Sequence, residues 1–476
     1  MSPFHPDTNP TGTVRGFPPI KLRPYQEKAV SAIYEAWQEH RSIMLQLPTG
    51  GGKTVIFSRI IQLALENGAK QIAVLTHREE LLKQAEIKIR QFCPYGIGII
   101  QGQQAVDIDQ PIQLVSIMTL ARRCQLLNQL AFDLIVIDEA HHATAHSYSQ
   151  IIDHFPRAKI LGVTATPCRT DGTGFGDLFD ILIDSHSISA DVKTLIRLNY
   201  LSDFKIYATP CVETKGVGQR GGDYDEASLA RLNPVKKIRG SLLHSYLAYG
   251  KSKKCVCFAI NVEHSQAIAQ YYNQYGIPAL HLDGAMPPKE RQAIIAQFRH
   301  GHTLILCNCN IITEGFDLPE IEVVQLARPT QSLALYLQMV GRALRYKPNK
   351  TAIILDHANN WQIHGSPKDD FTWTLTGVVK TTNHHTLPRE IEITPTPPTP
   401  PQSIHQDHTL TEINTTTLEL LKLQKTQLAK GYKKGWIAYR FLESPRTRTE
   451  LIQCADFLGY NQQWVNFILK QQTSCK

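Results

Sequence analysis

One pattern occurs twice in this chain of 476 residues: short apolar runs alternate with stretches whose apolar residues recur at helical spacing. From about residue 20 to 200 the runs are IMLQL, IAVLT, GIGII, IQLVSI, DLIVID and KILGVTA, separated by helical patterns such as Glu79 to Phe92 and Met118 to Leu130. Continuous apolar strands between amphipathic helices call for a parallel sheet covered on both faces. The series then restarts. CVCFA, ALHL, TLILC, EVVQLA and TAIILD follow between about 255 and 356, with helical patterns near Glu263 to Tyr275, Pro288 to Phe298 and Ser332 to Leu344. The expected fold is α/β, with two similar parallel-sheet domains in tandem, and a chain of this length exceeds a single core.

The spacing predicts a disordered segment over 1–19, a first domain over 20–209 and a second over 210–378. A linker over 379–409 contains TPTPPTPPQ, which cannot enter a helix or central strand, and a small helical module fills 410–476. In that module Leu418, Leu421 and Leu428 share a helix face, Thr447 and Glu450 have capping-box spacing, and Asn461 can cap the last helix. The glycine-rich loop KGVGQRGGDYD reads as a flexible surface excursion.

Phosphate chemistry is written into the first half. The loop Pro48, Thr49, Gly50, Gly51, Gly52, Lys53, Thr54 follows a strand-like run and opens a helical one. Its glycines let backbone N–H groups approach phosphate oxygens, Lys53 supplies a point charge, and Thr54 can ligate Mg²⁺. A strict pattern of this type has glycine at the position of Leu47. DLIVIDEAHH sets Asp138 and Glu139 at the end of a buried strand, where two carboxylates need a cation or a task. Asp138 is the natural Mg²⁺ partner and Glu139 the group to orient an attacking water. His141 would then sense the γ-phosphate. The hydroxyls of Thr164 and Thr166 could link this acidic pair to the opposite lobe. Far downstream, Gln338, Gly341, Arg342 and Arg345 lie in QMVGRALR, with both arginines on one helix face.

These segments resemble, in order, the motifs of superfamily II helicases of the DEAH-containing type: LPTGGGKT, VLTHREEL, DEAH, TATP, TEGFDLP and QMVGRALR, over about residues 20 to 375. The resemblance implies two RecA-like domains and ATP as the nucleotide, with Arg23 and Gln26 of RPYQ at the adenine side. It assigns Arg342 and Arg345 to the γ-phosphate and sets Gly315 and Asp317 beside the ribose. It puts nucleic acid across both lobes, touched by Thr76, His77, Arg78 and Thr313. TATPCRTDGTG and LDHANNWQIHG are similar to a bacterial and phage branch that includes RadD-like repair ATPases, although the cysteine-rich zinc element of those proteins is not visible here. DNA is preferred over RNA because DEAH, TATP and QMVGRALR depart from the DEAD-box form.

The remaining readings are broader. A balance of 50 Lys+Arg against 42 Asp+Glu, +8 net, is compatible with a polyanionic partner. No apolar run is long enough to span a bilayer and no secretory leader is visible, so a cytoplasmic protein is expected. Cys255 with Cys257 and Cys307 with Cys309 fall on strand faces and read as buried thiols. From Lys422 to Arg448 there are eight Lys+Arg and one acid, with Trp436, Tyr439 and Phe441 interleaved. Those rings suit either stacked bases or a small core, and the module could also receive protein partners. A DNA helicase or translocase is the expected activity; an RNA helicase, an ATP-gated clamp and a restriction-system motor are the rivals.

Overall fold

The computed structural model describes Phe4 and residues 21–376, apart from 78, 144–145, 169–173, 176–177, 209–210, 310 and 313–317, then 380–381, 411–413 and parts of 419–469. The first sheet contains β1 (Ser42–Gln46), β2 (Ile72–Thr76), β3 (Ile97–Ile100), β4 (Ile112–Ser116), β5 (Leu134–Asp138), β6 (Lys159–Thr164) and β7 (Ile181–Ile183). Their order is β3-β4-β2-β5-β6-β1-β7 and every pairing is parallel. β1, β2 and β4 are buried at every residue, as strands covered on both faces must be.

The second sheet starts earlier than the chain pattern suggests. β8 (Asp203–Ala208), expected in the first domain, pairs in parallel with a strand almost 150 residues later. A hairpin of β9 (Gln219–Arg220) and β10 (Asp223–Tyr224) follows, then β11 (Cys255–Phe258), β12 (Ala279–Leu282), β13 (Ile305–Asn308), β14 (Val323–Leu326) and β15 (Thr351–Asp356). After a small hairpin of β16 (Phe371–Thr372) and β17 (Lys380–Thr381), the edge strand β18 (Thr411–Ile413) runs antiparallel to β8, in the order β12-β13-β11-β14-β15-β8-β18. Residues 411–413, expected in the helical module, thus belong to the second sheet, because the open edge of β8 accepts them.

Other expectations shift for local reasons. The helix expected from Met118 to Leu130 is divided into Ile117–Arg122 and a tighter turn, Cys124–Gln129, because Arg123 leaves the helical region at φ −111°, ψ 47°. The loop KGVGQRGGDYD is tethered rather than free: Asp223 accepts hydrogen bonds from the Thr330 hydroxyl and the Gln331 N–H, both at 2.7 Å. Phe4, in the segment expected to be disordered, packs against Trp37 at 5.1 Å between ring centroids. Cys255, Cys257 and Cys307 are fully buried in one apolar cluster. In the C-terminal part, Thr447 and Glu450 form the anticipated reciprocal cap, and Phe441 is fully buried with Ile437, Cys454 and Leu458. The side chains of Trp436 and Tyr439, together with Leu418, Leu421, Leu428, Asn461 and TPTPPTPPQ, lie outside the described residues.

Candidate nucleotide site at the cleft between the lobes

The chain leaves β1 through the glycine loop and enters the helix Lys53–Glu66. Gly50 and Gly52 adopt φ of +85° and +84°, conformations that side chains rarely tolerate, and Gly52 caps the helix so that its first amides open onto the cleft. Leu47 explains its own departure from the expected glycine. Its side chain is buried beneath the loop, where a Cβ on Gly51 would meet Leu47 Cγ at 2.7 Å. Tyr25 fixes the loop from outside by donating its hydroxyl to Gly51 O at 2.7 Å. Gln26 is buried against Gly52, and its Oε1 accepts from the Arg23 N–H at 2.9 Å.

Asp138 ends β5, and Glu139 follows at φ 50° in the left-handed region, a strained backbone that turns the acid toward Lys53. Lys53 Nζ lies 3.9 Å from Glu139 Oε1, and Glu139 is only 8% exposed. His141 joins the pair through Nδ1, 3.4 Å from Glu139 Oε2 and 3.1 Å from Thr164 Oγ1. Its other nitrogen lies 3.2 Å from Gln338 Nε2 of the second lobe. An amide nitrogen can only donate, so in this orientation Nε2 of His141 accepts and the ring proton belongs on Nδ1. The Thr hydroxyls therefore do not themselves bridge the lobes, as the sequence suggested; His141 does, and Thr164 orients its ring. Thr166 is fully buried, its N–H donating to Thr164 Oγ1 at 3.2 Å.

The second lobe closes the space. A cleft of about 930 Å³ is lined by Gly50, Gly52, Lys53, Thr54, Asp138 and Glu139 on one side and by Arg342 and Arg345 on the other, with Arg23 at its rim. Arg342 and Gln338 are buried to 3% and 4% exposure. The lobes touch along the loop itself: a Cβ on Gly341 would lie 2.6 Å from Thr49 Cβ, and one on Gly50 would lie 3.6 Å from Arg345 Cγ. Pro48 sits beside Thr49 at the back of this contact. Sequence reasoning missed Tyr25, Tyr200 and Leu201, whose approach to the loop depends on contacts with no local signature.

The cradle fits a triphosphate and a hard cation. Backbone N–H groups, an ammonium and two arginines face one space, and the oxygen ligands Thr54 and Asp138 suit Mg²⁺ chemistry. The candidates for the nucleic-acid face are less well gathered. Thr76 is fully buried at the end of β2, which removes its side chain from direct contact, and His77 is half-buried. Arg78, Thr313, Gly315 and Asp317 lie outside the described residues. Among the described residues no helix is long and apolar enough to cross a membrane.

Residues 19–169 match the family model described as Type III restriction enzyme, res subunit, and residues 239–347 match the helicase conserved C-terminal domain. A 51.5 kDa protein of a Lactococcus phage is 34% identical over 69% of this chain and 68% of its own length. A Saccharomyces cerevisiae protein named as an ATP-dependent helicase, IRC3, is 33% identical over 69% of this chain and 50% of its own. The DNA 3'-5' translocase XPB2 of Sulfurisphaera tokodaii is 26% identical over 71% of this chain and 81% of its own. The chain therefore spans about two thirds of the phage protein and half of the yeast one. Among solved structures, a fragment described as the HsdR subunit of a type I restriction enzyme from Vibrio vulnificus covers 75% of this chain and 70% of its own, with a TM-score of 0.56 and 20% identity, a likeness of fold alone. A restriction-enzyme res-subunit model followed by a helicase C-terminal model, on two parallel-sheet lobes that share one cleft, with an ATP-dependent helicase and a DNA translocase among the relatives, settles the family: the chain belongs to the ATP-dependent helicases of superfamily II.

Proposed function

We propose that the chain hydrolyses ATP in the cleft between its lobes and uses the resulting closure and opening to move along DNA. The observation that carries this reading is the meeting of Lys53, Asp138 and Glu139 with Arg342 and Arg345 around one cavity. In this scheme the loop amides and Lys53 hold the β and γ phosphates, and Thr54 and Asp138 would hold Mg²⁺, which when bound offsets phosphate charge. Glu139 orients the attacking water and accepts its proton, a role supported by its turned backbone and burial beside Lys53. Arg342 and Arg345 bring positive charge to the transferring phosphoryl group. The His141–Gln338 contact ties the water-orienting acid to the lobe that supplies those arginines.

The two faces of the motor then alternate. ATP bound by the first lobe draws the second lobe in, and loss of the γ-phosphate weakens that attraction. Nucleic acid held by both lobes is displaced at each cycle. DNA as the track is supported by the DEAH, TATP and QMVGRALR forms and by the DNA translocase among the relatives. A role in repair, recombination or replication, within the branch that includes RadD-like ATPases, is part of the same proposal. Steady-state ATPase with single-stranded DNA, duplex DNA and RNA tests it, followed by strand- and triplex-displacement assays. Strong stimulation by DNA with triplex displacement is expected. Stimulation by RNA alone would overturn the DNA assignment, and stimulated hydrolysis without either displacement would favour an ATP-gated clamp.

A further inference from the structure

The segment that leaves the first lobe, Tyr200 to Ser202, is wired to both sides of the cleft. Arg23 stacks its guanidinium 4.2 Å from the centroid of the Tyr200 ring, and Tyr25 packs against the same ring at 5.6 Å. Tyr25 is the residue that holds the Gly51 carbonyl, so one end of the segment rests on the loop that cradles phosphate. Leu201 comes next and forms an isolated antiparallel bridge with Arg345, while its side chain lies against Gly50, with Cδ2 2.9 Å from where a Cβ would stand.

Ser202 completes the arrangement from a position only 3% exposed. Its N–H donates to Leu344 O at 2.8 Å, its hydroxyl donates to Arg345 O at 3.2 Å, and the same oxygen accepts from the Lys347 N–H at 3.3 Å. Three backbone groups bracketing Arg345 thus depend on one serine. The helix Leu333–Gly341 ends before Arg345, so helical hydrogen bonding does not fix this stretch of backbone. A guanidinium at the end of a long side chain inherits any error in its backbone, and a displacement of about 1 Å at a reacting group can cost about 10²-fold in rate.

We infer that Tyr200–Ser202 is a positioning bridge for the proposed reaction, with Ser202 setting the backbone of Arg345 and Tyr200 joining that setting to Arg23 and Tyr25 beside the glycine loop. The inference rests on the reading of Arg345 as the charge that the second lobe brings to the γ-phosphate. Ser202 touches no substrate; it acts through Arg345. Tyr200 also lines the cleft, so its loss falls on nucleotide binding through Arg23 rather than on the arginine.

The experiment compares Ser202→Ala, Tyr200→Ala and Arg345→Ala in the full chain, with kcat and KM for ATP measured in the presence of saturating single-stranded DNA and a melting curve for each. Ser202→Ala is expected to lower kcat about tenfold with KM within about twofold and with an unchanged melting temperature. Tyr200→Ala, which leaves the Ser202 bonds in place, is expected to raise KM several-fold with kcat within about twofold. Wild-type kcat in Ser202→Ala alongside an inactive Arg345→Ala would overturn the bridge and leave the two-lobe site intact. Equal losses of kcat in Ser202→Ala and Tyr200→Ala, or a fall in kcat that tracks a lowered melting temperature, would also overturn it. Full activity in Arg345→Ala would instead remove the reading on which the bridge rests.

Discussion

The two lobes have sheets of the same size and nearly the same plan, yet they carry unequal chemical loads. In the first, the site grows from strand ends: β1 feeds the phosphate loop and β5 ends at Asp138. In the second, strand ends contribute none of the described cations lining the cleft; Arg342 and Arg345 come from the turn after the helix Leu333–Gly341, Arg291 and Arg299 from the helix Pro288–His300, and Gln338 reaches His141 from the first of these helices. Under the proposed function this repeated scaffold is divided into a holder and a trigger. In the proposed cycle the holder binds nucleotide by itself, whereas the trigger acts only when it arrives. Interdomain closure, in that proposed cycle, converts the asymmetry into conditional hydrolysis.

Removing charge from each side should separate the two roles. Lys53→Ala strikes the holder, and ATP turnover should fall by about 10³ or more, with weaker nucleotide binding in an equilibrium titration. Arg345→Ala strikes the trigger. Its kcat should fall by about 10³ while nucleotide affinity stays within about threefold; parallel losses of affinity in both variants would erase the distinction between lobes. Gln338→Ala breaks the contact with His141 that joins them, and kcat should drop by about tenfold, with a coupling of about 1 kcal/mol in a double-mutant cycle with His141→Ala. Additive effects in that cycle would mean that the 3.2 Å contact transmits nothing.

The smallest effect concerns the frame of the holder alone. Burial acts to raise the Asp180 carboxyl, but the N–H groups of Ser42 and Arg41, both at 2.8 Å, outweigh it and hold the group below its usual value. A depressed native value means that this stabilisation is present above the unfolded carboxylate range and is lost as pH falls through the folded value. Asp180→Asn should therefore melt earlier than the parent at neutral pH, and the gap should narrow in acid below about pH 4. A gap independent of pH would assign the loss to packing instead.

Much of this architecture is legible in the sequence because its signals are local. Six of the seven strands of the first sheet announce themselves as apolar runs, β7 being too short to do so, and the glycine loop, DEAH and QMVGRALR mark the cleft before any contact is known. What escapes is pairing over distance. Nothing in DFKIYA says that it joins the second sheet, since that depends on β15, and nothing in NYLS reveals that it will bracket Arg345. Leu47 looks like a defect in a motif until its side chain is seen filling the space under Gly51. Thr76 errs the other way: a threonine at the end of a strand reads as an exposed hydroxyl, and only the covering layers show that it is buried.

The meeting of Gly341 with Thr49 leaves these jaws no clearance. One added methyl at residue 341 would act as a wedge, since the atom it strikes is a branched carbon anchored to the phosphate loop rather than the free tip of a long side chain. In the proposed cycle the stroke is limited by a hydrogen atom at this point of contact, and a chain carrying alanine there should grip its fuel while never fully biting down on it.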